Sequence, residues 1–184
     1  MSASALLILS EGAEEIEAVT VADVLARAGV NVTIGGLQGD GVLKGSNGVC
    51  IKPNVSLSSV SSKLFDLVVM PGGMGGSNAM ASSELVGKIL KEHEKHGKYI
   101  AAICAAPIAL ESHKIAIGKR LTSYPGFQDQ LPSYKYCEDN VVVDDKLVTS
   151  RGPGTALAFA MKLVELLCGK PKAQTLIKGM LVSL

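Results

Sequence analysis

The sequence predicts a doubly wound α/β sandwich with a mostly parallel central sheet, formed as one domain over residues 1–184. Short apolar runs alternate with helical repeats along nearly the whole chain. Hydrophobic residues make up 47% of it, aromatics only 4%, and Trp is absent, so the core is one of Ala, Val, Ile and Leu. Such a core suits helices packed on a sheet that is covered on both faces. A chain of 184 residues can bury one substantial core, and no repeat, linker or low-complexity stretch divides it.

Ala5 to Leu9 is a continuous apolar run and reads as a strand; Ile16, Val19, Val24, Leu25 and Ala28 then recur near helical spacing. Gly29 ends that helix, and Val30 to Gly35 completes a βαβ unit with parallel strands. The glycine-punctuated stretch from Gly36 to Pro53 reads as a small hairpin or excursion. Phe65 to Met70 is a buried strand running into Pro71-Gly72-Gly73-Met74-Gly75-Gly76, a glycine-rich loop, with an amphipathic helix from about Ser83 to His96 beyond it. Tyr99 to Ile103 is the next strand and Ala105 to His113 the next helix. Val141–Val143 and Lys146–Thr149 flank Asp144-Asp145 as a hairpin, and Pro153 opens a helix through about Leu167. In this architecture functional groups gather beyond the carboxyl ends of the strands.

The formal net charge of +1 provides no field for attracting nucleic acid or anionic membranes, and no basic stripe interleaved with aromatics is present. The start lacks a basic n-region, its apolar run stops at Ser10 and Glu11, and no run approaches the length of a membrane span. Four cysteines, Cys50, Cys104, Cys137 and Cys168, lack the spacing of a zinc site or a secreted disulfide framework, so free thiols in a reducing cytoplasm are expected.

Ile100-Ala101-Ala102-Ile103-Cys104-Ala105-Ala106-Pro107 places a thiol where an apolar strand meets a helix start. Small neighbours permit a tight elbow that presents the side chain, and the amides of the helix start favour thiolate over thiol. A buried, inert cysteine is the competing reading. The glycines from Gly72 to Gly76 form either an oxyanion-binding loop or a tight turn; their spacing does not match a dinucleotide fingerprint. Glu14, Glu15 and Glu17 follow the first strand and so belong to the same end of the sheet. Carboxylates at a helix start are usually solvated, but one that faces inward can hold a proton near neutral pH; local sequence does not choose among the three. His93 and His96 read as a solvated helix face, and His113 lies nine residues from Cys104, about 13 Å along a helix, so no histidine is a natural base for the thiol. Ser150 to Thr155 either binds an anion or caps the last long helix.

Gly12-Ala13-Glu14-Glu15-Ile16-Glu17, Val69-Met70-Pro71-Gly72-Gly73, Ala101-Ala102-Ile103-Cys104-Ala105-Ala106-Pro107 and Thr149-Ser150-Arg151-Gly152-Pro153-Gly154-Thr155 occur in an order that resembles the ThiJ/PfpI superfamily, in the branch of the parkinsonism-associated protein deglycase. The resemblance is collinear over essentially the full chain. It implies a flavodoxin-like homodimer, with the first helix as a contact element. It also implies Cys104 as nucleophile, a protonated Glu17 hydrogen-bonded to its thiolate, and backbone N–H groups from Gly73 and Ala105. Gly72, Tyr124, Arg151 and Pro153 fall where they would line the site. The implied activity is conversion of methylglyoxal and related 2-oxoaldehydes to 2-hydroxy acids without glutathione, metal or other cofactor. Protein deglycase activity, oxidative-stress defence, chaperone-like behaviour, and nuclear or mitochondrial pools beside the cytoplasmic one accompany it. The alternative is a redox sensor in which oxidation of Cys104 is the functional event. Three departures limit the transfer: Tyr124 stands where many relatives carry a histidine, Gly45 and Lys52 stand where some have accessory cysteines, and Cys50 is local to this chain.

Overall fold

A computed structural model describes residues 2–183. Strands β1 (Ser4–Leu9), β2 (Asn31–Gly36), β5 (Val55–Ser56), β6 (Leu67–Met70), β7 (Tyr99–Ile103), β10 (Val141–Asp144) and β11 (Leu147–Ser150) form a seven-stranded sheet in the order β10-β11-β7-β6-β1-β2-β5. All neighbours are parallel except β10 and β11, the hairpin about Asp144-Asp145. The central order β2-β1-β6-β7-β11 is that of a flavodoxin-like fold, with its topological switch between β1 and β6. Two short pairs lie outside the sheet: β3 (Leu43–Lys44) with β4 (Cys50–Ile51), and β8 (Arg120–Leu121) with β9 (Lys135–Tyr136).

Strand periodicity sends alternate side chains to opposite faces. From β1, Ala5, Leu7 and Leu9 enter the core beneath α1 (Glu15–Arg27) and α5 (Ala156–Cys168), while Leu6 and Ile8 enter the opposite core. That second core lies under α2 (Met74–Ser82), α3 (Glu84–Lys95) and α4 (Pro107–His113). A final helix, α6 (Lys170–Gly179), packs on α5. On α1 the buried stripe is Ala18, Val21, Val24 and Leu25, whereas Ile16 and Val19 of the expected apolar repeat are 56% and 51% exposed.

The glycine-rich stretch differs from expectation. It is a loop only to Gly73; Met74, Gly75 and Gly76 are the first turn of α2, because Gly73, at φ +82°, turns the chain into a helix whose glycines meet the 12–13 segment closely. The helix after β7 begins at Pro107, Ala105 and Ala106 forming a turn. His93 is not on a solvated face: it is 1% exposed and stacked on Phe65, with ring centroids 6.2 Å apart. Its Nε2 accepts from Phe65 N–H at 3.0 Å and its Nδ1–H donates to Ile89 C=O at 2.7 Å. Burial holds its pKa below the ordinary histidine value.

His93→Leu leaves the buried Phe65 N–H without its acceptor and should cost about 1–3 kcal/mol in denaturant unfolding at pH 7. The unfolded chain protonates this histidine before the folded one does, so its contribution to stability falls as pH drops below the unfolded value; the pH 7 to pH 5 loss in Tm should be smaller in the variant.

Candidate active site

The carboxyl ends of β1, β6 and β7 meet at the switch point, and each contributes one part of a single cluster. Glu17 sits one turn into α1, four residues before Val21, so the helix directs its carboxyl into the protein and leaves it 0% exposed. Gly72 follows β6 and donates its N–H to Glu17 Oε2 at 2.7 Å. A Cβ on Gly72 would lie 2.5 Å from Cys104 Cβ and 2.8 Å from Glu17 Oε2, so only glycine allows the carboxyl and the thiol to meet. Gly73 is equally constrained, its missing Cβ falling 2.3 Å from Gly12 C=O.

Cys104 ends β7 in the left-handed region at φ +64°, a strained conformation for a residue with a side chain. Neighbouring backbone fixes it: Cys104 N–H donates to Ser150 C=O at 3.0 Å, and Cys104 C=O accepts from Tyr124 N–H at 2.9 Å. The sulfur is half-buried, with the amides of Gly73 and Ala105 and the Glu17 carboxyl as the polar groups that act on its ionisation. An exposed side chain on a strained strand-to-helix turn is the geometry of a nucleophile elbow.

Burial pushes the Glu17 carboxyl up to about 7, against the pull of the Gly72 and Cys104 hydrogen bonds. Burial, and then the Glu17 charge, push the Cys104 thiol up to about 12, against the two amides. The helix start was expected to depress this thiol, but α4 begins three residues later and desolvation reverses the sign. Two such values belong to the pair, which holds two protons below about 7 and a single shared proton between about 7 and about 12. The upward shift of Glu17 is the governing one: with the proton on the carboxyl, the charge that penalises the thiolate is gone and the Gly73 and Ala105 amides remain to stabilise it.

The profile of the DJ-1/PfpI family matches residues 3–166. The chain belongs to the DJ-1/PfpI family. It is 55% identical over 185 residues to Protein dj-1beta of Drosophila melanogaster, covering 100% of this chain and 99% of that protein. It is 43% identical over 178 residues to the glutathione-independent glyoxalase DJR-1.2 of Caenorhabditis elegans, covering 95% and 94%. The crystal structure of Drosophila melanogaster DJ-1beta superposes with a TM-score of 0.98 at 54% identity over the whole of both chains.

The remaining residues of this DJ-1/PfpI chain divide sharply. Tyr124 touches Cys104 through its backbone; its ring, 48% exposed, lies beside Gly152 and edge-on to Phe127. The Arg151 guanidinium donates to Glu138 C=O at 3.1 Å, and Pro153 opens a 3₁₀ turn. Thr155 Oγ1 accepts from the Arg151 and Gly152 amides at 3.2 and 3.0 Å, so the segment ahead of α5 occupies these two donors itself. Of the three glutamates, Glu14 is the N-cap of α1, while Glu15, expected in solvent with the others, is only 6% exposed. All four cysteines are free, and no group of three or more His, Cys, Asp or Glu among the described residues is placed to hold a metal ion. Clefts of about 600 and 480 Å³ lie near Asp66 and Tyr99 and between α3 and His113; neither includes Cys104. No described helix is long and apolar enough to cross a membrane.

Sequence reasoning selects Glu17 only through resemblance, yet a local signal exists: Glu17, Val21, Val24 and Leu25 share one helical face, so a carboxylate there is aimed into the core. A folded carboxyl that keeps its proton up to about pH 7, against 4.5 in the unfolded chain, contributes stability that is full below 4.5 and is lost as pH rises through 7. Glu17→Gln keeps an acceptor for Gly72 N–H and removes that penalty. Thermal unfolding should find the variant more stable than wild type at pH 8, by on the order of 2–3 kcal/mol, with the gain vanishing near pH 5.

Proposed function

We propose that the chain is a cofactor-independent glyoxalase that converts methylglyoxal and related 2-oxoaldehydes to 2-hydroxy acids. The observation that carries this reading is the completely buried Glu17 carboxyl, bonded to Gly72 and set beside the sulfur of a strained, half-exposed Cys104. The glyoxalase name of a relative 43% identical over nearly its whole length supports it.

In the proposed reaction the Cys104 thiolate adds to the aldehyde carbon, and the new alkoxide takes the proton of Glu17, giving a hemithioacetal. The Gly73 and Ala105 amides stabilise the negative charge as it moves from sulfur to oxygen. The Glu17 carboxylate then removes the hydrogen of the former aldehyde carbon as a proton, forming an enediolate, and returns that proton to the neighbouring carbon while the hydroxyl proton passes from the first oxygen to the second. The first carbon is oxidised and the second reduced within one molecule, so no external electron acceptor enters. Water cleaves the resulting lactoyl thioester to lactate and regenerates the thiol. Adducts of the same aldehyde on protein side chains carry the same carbons, which is the basis for a deglycase activity of this site.

A second reading has its own observation: a half-exposed sulfur facing two amides and a carboxyl would hold a sulfinate as well as an oxyanion. Peroxide would then be the co-reactant and oxidation of Cys104 the signal.

Purified protein should turn over methylglyoxal without glutathione, with kcat/KM rising with pH through about 7 as the pair loses its first proton. Cys104→Ala should abolish turnover, and Glu17→Gln should lower it by about 10²-fold or more while leaving Cys104 alkylatable. Wild-type turnover by Glu17→Gln would remove the carboxyl from the mechanism. No turnover by the wild type, with Cys104 oxidised first under mild peroxide, would favour the sensor.

We also propose that the protein acts as a homodimer through α1. Ile16 and Val19 are exposed there beside an apolar depression of about 140 Å³ lined by Leu7, Ala18, Ile34 and Ile51. Sedimentation at micromolar concentration should show a dimer, and Val19→Glu should shift it to monomer.

A further inference from the structure

The strap from Gly12 to Glu17 is held between two neighbours. On its inner side Glu14 N–H donates to Gly72 C=O at 3.0 Å and Gly72 N–H donates to Glu17, so the strap and the loop after β6 fix each other. On its outer side lies the β3–β4 hairpin: Gly12 N–H donates to Lys44 C=O at 2.9 Å, and Ser46 N–H donates to Ala13 C=O at 2.9 Å.

Glu15 joins the two sides. Its Oε1 accepts from the amides of Asn47 at 2.7 Å and Val49 at 3.1 Å; its Oε2 accepts from Asn47 Nδ2 at 3.0 Å and Ser46 Oγ at 3.2 Å. Burial opposes its ionisation, but these bonds and that of its own amide outweigh burial and hold its pKa down at about 2, so it is an anion throughout the physiological range. The hairpin is shaped around it: a Cβ on Gly45 would fall 2.4 Å from the carboxylate. Two residues apart on a helix, Glu15 and Glu17 point to different sides of the strap.

We propose that Glu15 is a positioning residue: by clasping the hairpin turn to the first turn of α1, it fixes the strap that places the Glu17 carboxyl against Gly72 and the Cys104 sulfur. It acts through geometry, since the neighbouring charge that raises Glu17 is that of Glu14. The inference deepens the Glu17–Cys104 reading above and rests on it, but it concerns the reactivity of the thiol with any electrophile.

The test is the rate of iodoacetamide labelling of Cys104, followed by mass spectrometry from pH 5 to 10, together with kcat and KM for methylglyoxal. Glu15→Ala should slow labelling at pH 7.5 by about ten-fold or more and move its midpoint to higher pH, because the sulfur loses its aligned donor. Glu15→Gln, which keeps an acceptor oxygen for Asn47 and Val49, should stay within about three-fold of wild type. Gly45→Ala, which pushes the carboxylate off the hairpin, should follow Glu15→Ala, with kcat reduced more than KM is raised. A lowered Tm with unchanged labelling rate and midpoint in these variants would overturn the proposal. Should Glu15→Ala fail to fold, Gly45→Ala and the exposed-site variant Asn47→Ala decide the question by the same readout. A wild type that labels rapidly but does not turn over methylglyoxal would remove the glyoxalase reading and leave the Glu15 comparison intact.

Discussion

The Glu17 carboxyl is fully enclosed, and only one of its oxygens receives a hydrogen bond from an N–H group: Oε2 accepts from Gly72, while Oε1 finds no donor among the described residues. An ionised carboxylate left in that state would carry an unsatisfied buried charge, which is far costlier than a buried neutral acid. A carboxylic acid has a donor of its own, and the nearby acceptor is the sulfur of Cys104. The enclosure that makes this favourable depends on backbone passing where side chains cannot. Gly72 has no room for a Cβ, and Gly12, at φ +72°, would meet Gly75 Cα at 2.9 Å if it had one. The start of α2, the strap before α1 and the elbow after β7 are thus packed for one purpose, a dry pocket around a single proton.

Much of this was legible in the sequence. Continuous apolar runs locate β1, β6 and β7 because strands buried on both faces need no polar alternation, and β7 is found at its observed bounds. The elbow at Cys104 follows from a strand and a helix with no room for a loop between them. What escaped is instructive. The first turn of α2 is written in glycines, poor helix formers, and tertiary contact with residues 12–13 overrides propensity there. Strands β5, β8 and β9 are two residues each, too short for any periodicity, and α6 lies in a segment of mixed polarity. His93 sits among Lys91, Glu92, Glu94 and Lys95, which hide the fact that it continues the buried face of Val86, Ile89 and Leu90 at helical spacing; its acceptor role toward Phe65 is a tertiary contact.

The three glutamates show why composition alone misleads at a helix start. The helix dipole favours all of them equally, yet Glu14 caps the helix, Glu15 is an anion at about 2, and Glu17 is pushed up to about 7. The last two differ in depth and in donors: Glu17 is fully enclosed and meets one amide, whereas Glu15, nearer the surface, meets an amide pair, a side-chain amide and a hydroxyl. Desolvation and donor count together decide which carboxyl ionises.

The same count bears on how much machinery the proposed reaction requires. Moving a hydrogen between adjacent carbons and protonating one alkoxide can be done by one group, provided it both gives and takes a proton near the working pH. Glu17, at about 7, meets that condition without a second base. Tyr124 supplies a backbone N–H to the Cys104 carbonyl, while its half-exposed ring lies beside Gly152 and edge-on to Phe127. A raised carboxyl pKa destabilises the fold at neutral and alkaline pH, and the strain at Cys104 adds to that burden. Both persist because the surrounding hydrogen bonds over-determine the geometry: Ser150 and Tyr124 hold the elbow, and Gly72 holds the acid. A site of this kind keeps its proton where solvent would remove it, and that is the property on which both the hydride-free isomerisation and the thiol's reactivity depend.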